Sequence, residues 1–139
     1  MKKEKDPKNV KRGKAAKRKG AGGERDFAQW LTLRGYSARR SQQFCGKGPD
    51  ASDVMCENFK GIHIEVKRTE RLSLYKALEQ AQTDNKNPDK VSIVAHRAND
   101  KPWLIVMDGE EWLRLIQNPH LYVLAAPACV APEDPSLLS

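Results

Sequence analysis

The stretch from Gly61 to Lys67 constrains this chain most. Its apolar and polar residues alternate with period two, which is the pattern of a β-strand. Ile62, Ile64 and Val66 fall on one face, and His63, Glu65 and Lys67 on the other. A carboxylate and an ammonium are therefore held side by side on a rigid element. A second short run, Asp53 to Glu57, lies upstream, and the link Asn58 to Lys60 is of hairpin length with Gly61 suited to a bulge. If Glu57 pairs with Gly61, Asp53 pairs with Glu65. Directly opposed residues share a face with Cβ atoms about 5 Å apart, and like charges opposed there are destabilising. A divalent cation between the two carboxylates is the simplest compensation.

The charge of the chain is uneven. Residues 1–20 hold ten of the 25 Lys and Arg residues and two of the 18 acids, a net +8, whereas the whole chain carries +7. The segment has almost no apolar content, so a disordered basic arm that binds phosphates is expected over 1–20. The length of 139 residues suggests one domain, placed at 21–120, with a Pro-rich C-terminal extension over 121–139. Cys45, Cys56 and Cys129 form an odd set without paired spacing, which argues against a disulfide framework or a zinc site and suits a reducing, cytoplasmic setting. No apolar run approaches the roughly 18 residues that span a bilayer, and the charged N-terminus lacks the apolar core of a signal peptide.

Along the chain, Phe27, Trp30 and Leu31 predict a helix over about 23–34, with Gly35 just past its end. Glu24 and Asp26 would sit in its first turn, where carboxylates favour the helix dipole, and taken alone that accounts for Glu24. Residues 36–43 read as a strand carrying Arg39 and Arg40, and 44–52 as a Gly- and Pro-rich loop. Leu74, Ala77, Leu78 and Ala81 make the stripe of a second helix over about 73–84, with Gln80 off it. Val91 to Ala95 suits a strand buried on both faces. Another strand is expected over 102–107, and a third helix over 109–117, capped by Asp108, with Trp112, Leu115 and Ile116 inward. Leu121 to Leu124 is a candidate edge strand. The expected architecture is α/β, a central mixed sheet with helices on both faces.

With these elements in place, Glu24, Asp53 and Glu65-Val66-Lys67 resemble the site pattern of the PD-(D/E)xK nucleases with their restriction-endonuclease-like core. More narrowly, Gly23 to Phe27, Arg34-Gly35-Tyr36, Arg39-Arg40-Ser41, Ser52-Asp53-Val54 and Ile64 to Lys67 resemble the archaeal-type Holliday-junction resolvases and their phage-encoded relatives. The resemblance covers residues 20–107. In that family the Asp usually follows Pro, whereas here Pro49-Asp50 precedes Ser52-Asp53. Either Asp suits the role, and Asp53 is preferred because Val54 to Cys56 continues it as a strand. The run Glu65 to Arg68, followed by Leu72 and Gln80, is also similar to the related virus-type nuclease module.

The resemblance implies a Mg²⁺-dependent, structure-specific DNA endonuclease, a junction resolvase acting as a homodimer on branched DNA, with Mn²⁺ able to substitute. Glu24, Asp53, Glu65 and Lys67 are then the catalytic set. Glu24, Asp53, Glu65 and the Val66 carbonyl are the metal ligands. Lys67 orients or deprotonates the attacking water, or neutralises developing charge. Arg25, Arg39, Arg40, Ser41, Lys47, Arg68 and Gln80 are candidates for DNA contact, with a solvated charge as the plain alternative for each basic residue. His63 shares the Glu65 face, which leaves a ligand role open. Trp103 and Trp112 are expected in the core. Two other readings stand beside the resolvase: another nuclease of the same superfamily, such as a nicking or repair enzyme, and a non-catalytic basic protein that binds nucleic acid.

Overall fold

The structure, a computed structural model, describes residues 7–41 and 52–124. Lys47, Asp50, Cys45, Cys129 and most of the C-terminal extension, each given an expectation above, lie outside the described residues.

Helix α1 runs from Pro7 to Thr32, far longer than the sequence pattern predicts. Its C-terminal half is amphipathic and docks through Phe27, Ala28 and Leu31. Gly35 follows at φ 90°, a left-handed conformation that glycine adopts without a Cβ penalty. The N-terminal half is exposed. Of the arm expected to be disordered over 1–20, residues 7–20 are helical. Low apolar content argues against burial, not against helix. Ala, Lys and Arg are strong helix formers, and the docked half supplies the nucleus from which the helix extends.

Strand β1 (Ala38–Arg40) pairs antiparallel with β2 (Val54–Cys56), Arg39 opposite Met55. A 3₁₀ turn (Glu57–Phe59) leads to β3 (Ile62–Arg68). The expected hairpin between β2 and β3 does not form as a ladder. The Glu57 amide donates to the Ser37 carbonyl (2.9 Å), not to Gly61. Gly61 is also no bulge. A Cβ there would lie 2.5 Å from Tyr122 Cα, and the Gly61 amide donates to the Tyr122 carbonyl (3.3 Å). Just before β2, the Asp53 amide donates to the Ile64 carbonyl (2.8 Å), and Val54 and Cys56 pack in one core with Ile64.

β3 pairs parallel with β4 (Val91–Arg97), and β4 antiparallel with β5 (Leu104–Val106), giving a mixed three-stranded sheet in the order β3-β4-β5. Helix α2 (Leu74–Asp84) makes the crossover between the parallel strands and covers one face, packing Ala77 and Ala81 on Val94. α1 covers the other face, where Phe27, Ala28 and Leu31 meet Val54, Ile64, Val66, Ile93 and Ala95. Val91 to Ala95 is buried throughout, as its continuous apolar run predicts. The α/β class and the mixed sheet flanked by helices agree with the sequence reading.

Helix α3 (Gly109–Gln117) is capped by Asp108, whose carboxylate accepts from the amides of Glu110 (2.8 Å) and Glu111 (3.3 Å). Trp103 packs at the core with its ring 5.0 Å from that of Phe27. Trp112 and Ile116, expected inward, are about half exposed (50% and 54%). Residues 119–122 form a short helix, α4 (Pro119–Tyr122), rather than an edge strand, because Pro at the first position favours a helical turn and Tyr122 is buried against Gly61. No described helix is long and apolar enough to cross a membrane.

Candidate active site at the free edge of β3

In the order β3-β4-β5, one edge of β3 has no ladder partner among the described residues. Its outward amides must find acceptors or remain unsatisfied. The segment Ser52-Asp53 supplies them. The Ile64 amide donates to Ser52 Oγ (3.3 Å), and the Val66 amide to Asp53 Oδ2 (2.8 Å). Ser52 Oγ also lies 3.0 Å from His63 Nδ1, with both residues buried. The Ser52 hydroxyl, one donor and two acceptor sites, can serve the Ile64 amide and the His63 ring together. His63 thus braces the segment that presents Asp53, and Ser52 is the other half of that brace. The sequence places Ser52 in the Ser52-Asp53-Val54 stretch but assigns it no role of its own.

These bonds set Asp53 against β3 next to Glu65, which is itself only 5% exposed. Glu65 Oε1 lies 3.1 Å from Lys67 Nζ, and Lys67 Nζ donates to Gln80 Oε1 at 2.9 Å. The lysine is therefore held between a strand carboxylate and a side chain of α2. Glu24 reaches the same place from α1. It lies mid-helix, so the first-turn dipole account of its position fails. Its neighbour Gly23 explains the approach: a Cβ there would stand 2.6 Å from Arg68 Cβ, so only glycine lets α1 lie this close to β3. Arg40 of β1 forms an ion pair with Glu24 through Nε.

The electrostatics follow from this crowding. Burial, then the charge on Glu65, pushes the Asp53 carboxyl from 3.8 up to about 7; Glu24 adds to the rise, and the Val66 amide and Lys67 oppose it. Among the described residues no three His, Cys, Asp or Glu side chains are grouped to hold a metal. Magnesium usually takes one or two carboxylates and keeps its waters. The recessed Asp53–Glu65 pair is a hard-oxygen donor set whose mutual repulsion a cation relieves, so the residues present fit such an ion. The Val66 carbonyl belongs to the same strand segment.

The remaining candidates are dispersed. Arg25 and Arg39 are exposed. The Ser41 amide donates to the Asp53 carbonyl (2.9 Å), so Ser41 borders the cluster. Arg68 lies beside Gly23, with Nε and Nη1 buried and without a hydrogen-bond partner among the described residues. His96 Nε2 is 2.9 Å from the Thr69 carbonyl, an ordinary strand-end contact.

Fold and site together define a mixed-sheet α/β protein with a carboxylate–lysine cluster on the free edge of its sheet. No protein-family model and no curated protein matches the sequence. Among solved structures, the chain is similar to Archaeoglobus fulgidus Hjc, a Holliday junction resolvase from an archaeal hyperthermophile. The two are 25% identical, with a TM-score of 0.48 over 64% of this chain and 72% of that one.

Proposed function

We propose that this chain is a Mg²⁺-dependent, structure-specific DNA endonuclease, a Holliday-junction resolvase that hydrolyses phosphodiester bonds as a homodimer. The convergence of Glu24, Asp53, Glu65 and Lys67 from three separate segments onto one sheet edge carries this reading. Asp53 and Glu65, with Glu24 and the Val66 carbonyl, would hold the metal, and Mn²⁺ would serve in its place. A bound divalent ion supplies charge stabilisation at the scissile phosphate and acidifies water.

The chain's own groups do the rest. Lys67 has three N–H donors, and Glu65 and Gln80 engage two. Among the described residues the third has no acceptor, and it would serve a phosphate oxygen or the attacking water at a position fixed by those two partners. Such a prepositioned cation stabilises developing charge without reorganisation. Arg25, Arg39, Arg40, Ser41 and Arg68 border the cluster or the elements that carry it, and would hold backbone phosphates. The exposed basic half of α1 adds sequence-independent affinity.

That basic helix also favours a second reading, a nucleic-acid-binding protein without catalysis. A cleavage assay separates the two. Labelled four-way junction, flap, nicked and linear duplex are each incubated with and without Mg²⁺. The resolvase reading expects junction cleavage that requires the metal. Binding to all four substrates without a cut to any of them overturns it.

A further inference from the structure

Each carboxylate of the cluster is already engaged by a group of the chain itself: Glu65 by Lys67, Asp53 by the Val66 amide, and Glu24 by Arg40. The last pair differs from the others in its placement. The Arg40 side chain is 42% exposed and that of Glu24 19%. The guanidinium is thus open to an incoming anion, while the carboxylate lies recessed, close enough to Asp53 for its charge to be felt there. Only Nε of Arg40 is engaged among the described residues, so its Nη groups can grip a phosphate in the planar, two-pronged geometry that guanidinium favours. Arg40 also stands on a short two-stranded sheet at the rim, opposite Val54, the residue after Asp53.

We propose that Arg40 is an exchange residue, which neutralises Glu24 until a backbone phosphate of DNA takes its guanidinium and leaves Glu24 facing the other two carboxylates. The inference rests on the nuclease reading and deepens it. DNA and the divalent ion then bind with positive coupling, and by linkage the ion strengthens DNA binding by the same factor. A chain without DNA holds the ion weakly, because one carboxylate is occupied. Arg40 is in this sense a positioning residue for Glu24. Arg39 alternates to the opposite side of β1 and has no ion pair among the described residues, so it supplies the control with the same charge.

The first test needs no metal. Affinity for a labelled four-way junction is measured in chelator for the wild type, Glu24→Gln, Arg40→Met and the double variant. Glu24→Gln frees Arg40 and should tighten binding by roughly two- to fivefold, the range of an exposed ion pair. In the Arg40→Met background the same change should give no gain. An equal gain in both backgrounds is a generic charge effect; it overturns the exchange and leaves the nuclease reading intact. The second test titrates Mn²⁺ without DNA, read by electron paramagnetic resonance. Arg40→Met should bind the ion more tightly than the wild type, and Arg39→Met should not. Equal affinities in Arg39→Met and Arg40→Met overturn the proposal, and no Mn²⁺ binding in any variant overturns the metal reading together with it.

Discussion

At Asp53, burial and two neighbouring carboxylates oppose ionisation, and the Val66 amide and Lys67 favour it without winning. The folded chain therefore holds this proton through the window from 3.8 to about 7, where the unfolded chain has released it. By linkage, the more protonated folded state makes stability fall as pH rises through that window. The metal-free protein should lose stability from about pH 4 to about pH 7, the interval bounded by those two values. Asp53→Asn should remove this dependence and, above that range, melt higher than the wild type. Thermal melts across pH in chelator measure both, and parallel pH profiles for the two proteins would reject the cause assigned here. Asp53→Asn and Glu65→Ala should each abolish cleavage while DNA binding is largely kept, since affinity comes from the basic surface. Asp50→Asn should keep most activity. Residue-scale geometry is only partly legible in the sequence. The neighbourhood of Asp53 and Glu65 follows from strand alternation plus a short link. It emerges even though β2 forms its ladder with β1, because the Asp53 amide still bonds to Ile64. The Glu24–Arg40 pair is not legible. It depends on how α1 packs on β1, which no local pattern encodes.

Elements carry the next constraint, and Gly23 exposes it. In a helix interior, Gly→Ala is worth about 1 kcal/mol in the favourable direction. Among the described residues a Cβ at Gly22 would meet nothing within 4 Å, whereas at Gly23 it would meet Arg68 Cβ at 2.6 Å. Gly22→Ala should therefore raise the melting temperature and leave cleavage alone. Gly23→Ala should push α1 off β3, displace Glu24 and slow cleavage by roughly tenfold or more, since small misplacements in an active site are costly. Equal activity in the two variants would show that the close approach does not matter. The length of α1 is illegible for a related reason. Apolar periodicity reports only the half that docks, and the basic half has nothing to bury. Trp112 turns outward against expectation because α3 is amphipathic by sequence, yet its apolar side is not fully covered. Deleting residues 1–20 should weaken binding to every DNA. On duplex, the slope of log affinity against log salt should fall by about 0.9 for each phosphate that the shortened chain no longer neutralises. Cut positions should stay put, because the cluster lies beyond the deletion.

For the whole molecule, the question is what selects the substrate. The basic groups lie along one helix, one short strand and the rim of a sheet edge, an arrangement that tracks phosphates rather than reading bases. A four-way junction offers two equivalent strands related by approximate two-fold symmetry, and a two-fold homodimer would set one Asp53/Glu65/Lys67 cluster against each. Exposed apolar side chains on β5 and on α3, such as Ile105 (49%) and Ile116 (54%), are the ones we expect a second copy to cover. The expected outcome is a pair of symmetric nicks at fixed distances from the branch point, on junctions of unrelated sequence, with linear duplex cut far more slowly. Ile105→Asp combined with Ile116→Asp should give a monomer by solution mass that still binds Mn²⁺ but no longer pairs its cuts. Cuts that follow a base motif wherever it sits, or a monomeric wild type that nicks linear duplex as fast as a junction, would reject the resolvase and leave a general nuclease. Paired cutting by the doubly charged variant would instead move the interface elsewhere, since the symmetry argument requires two copies but not this face.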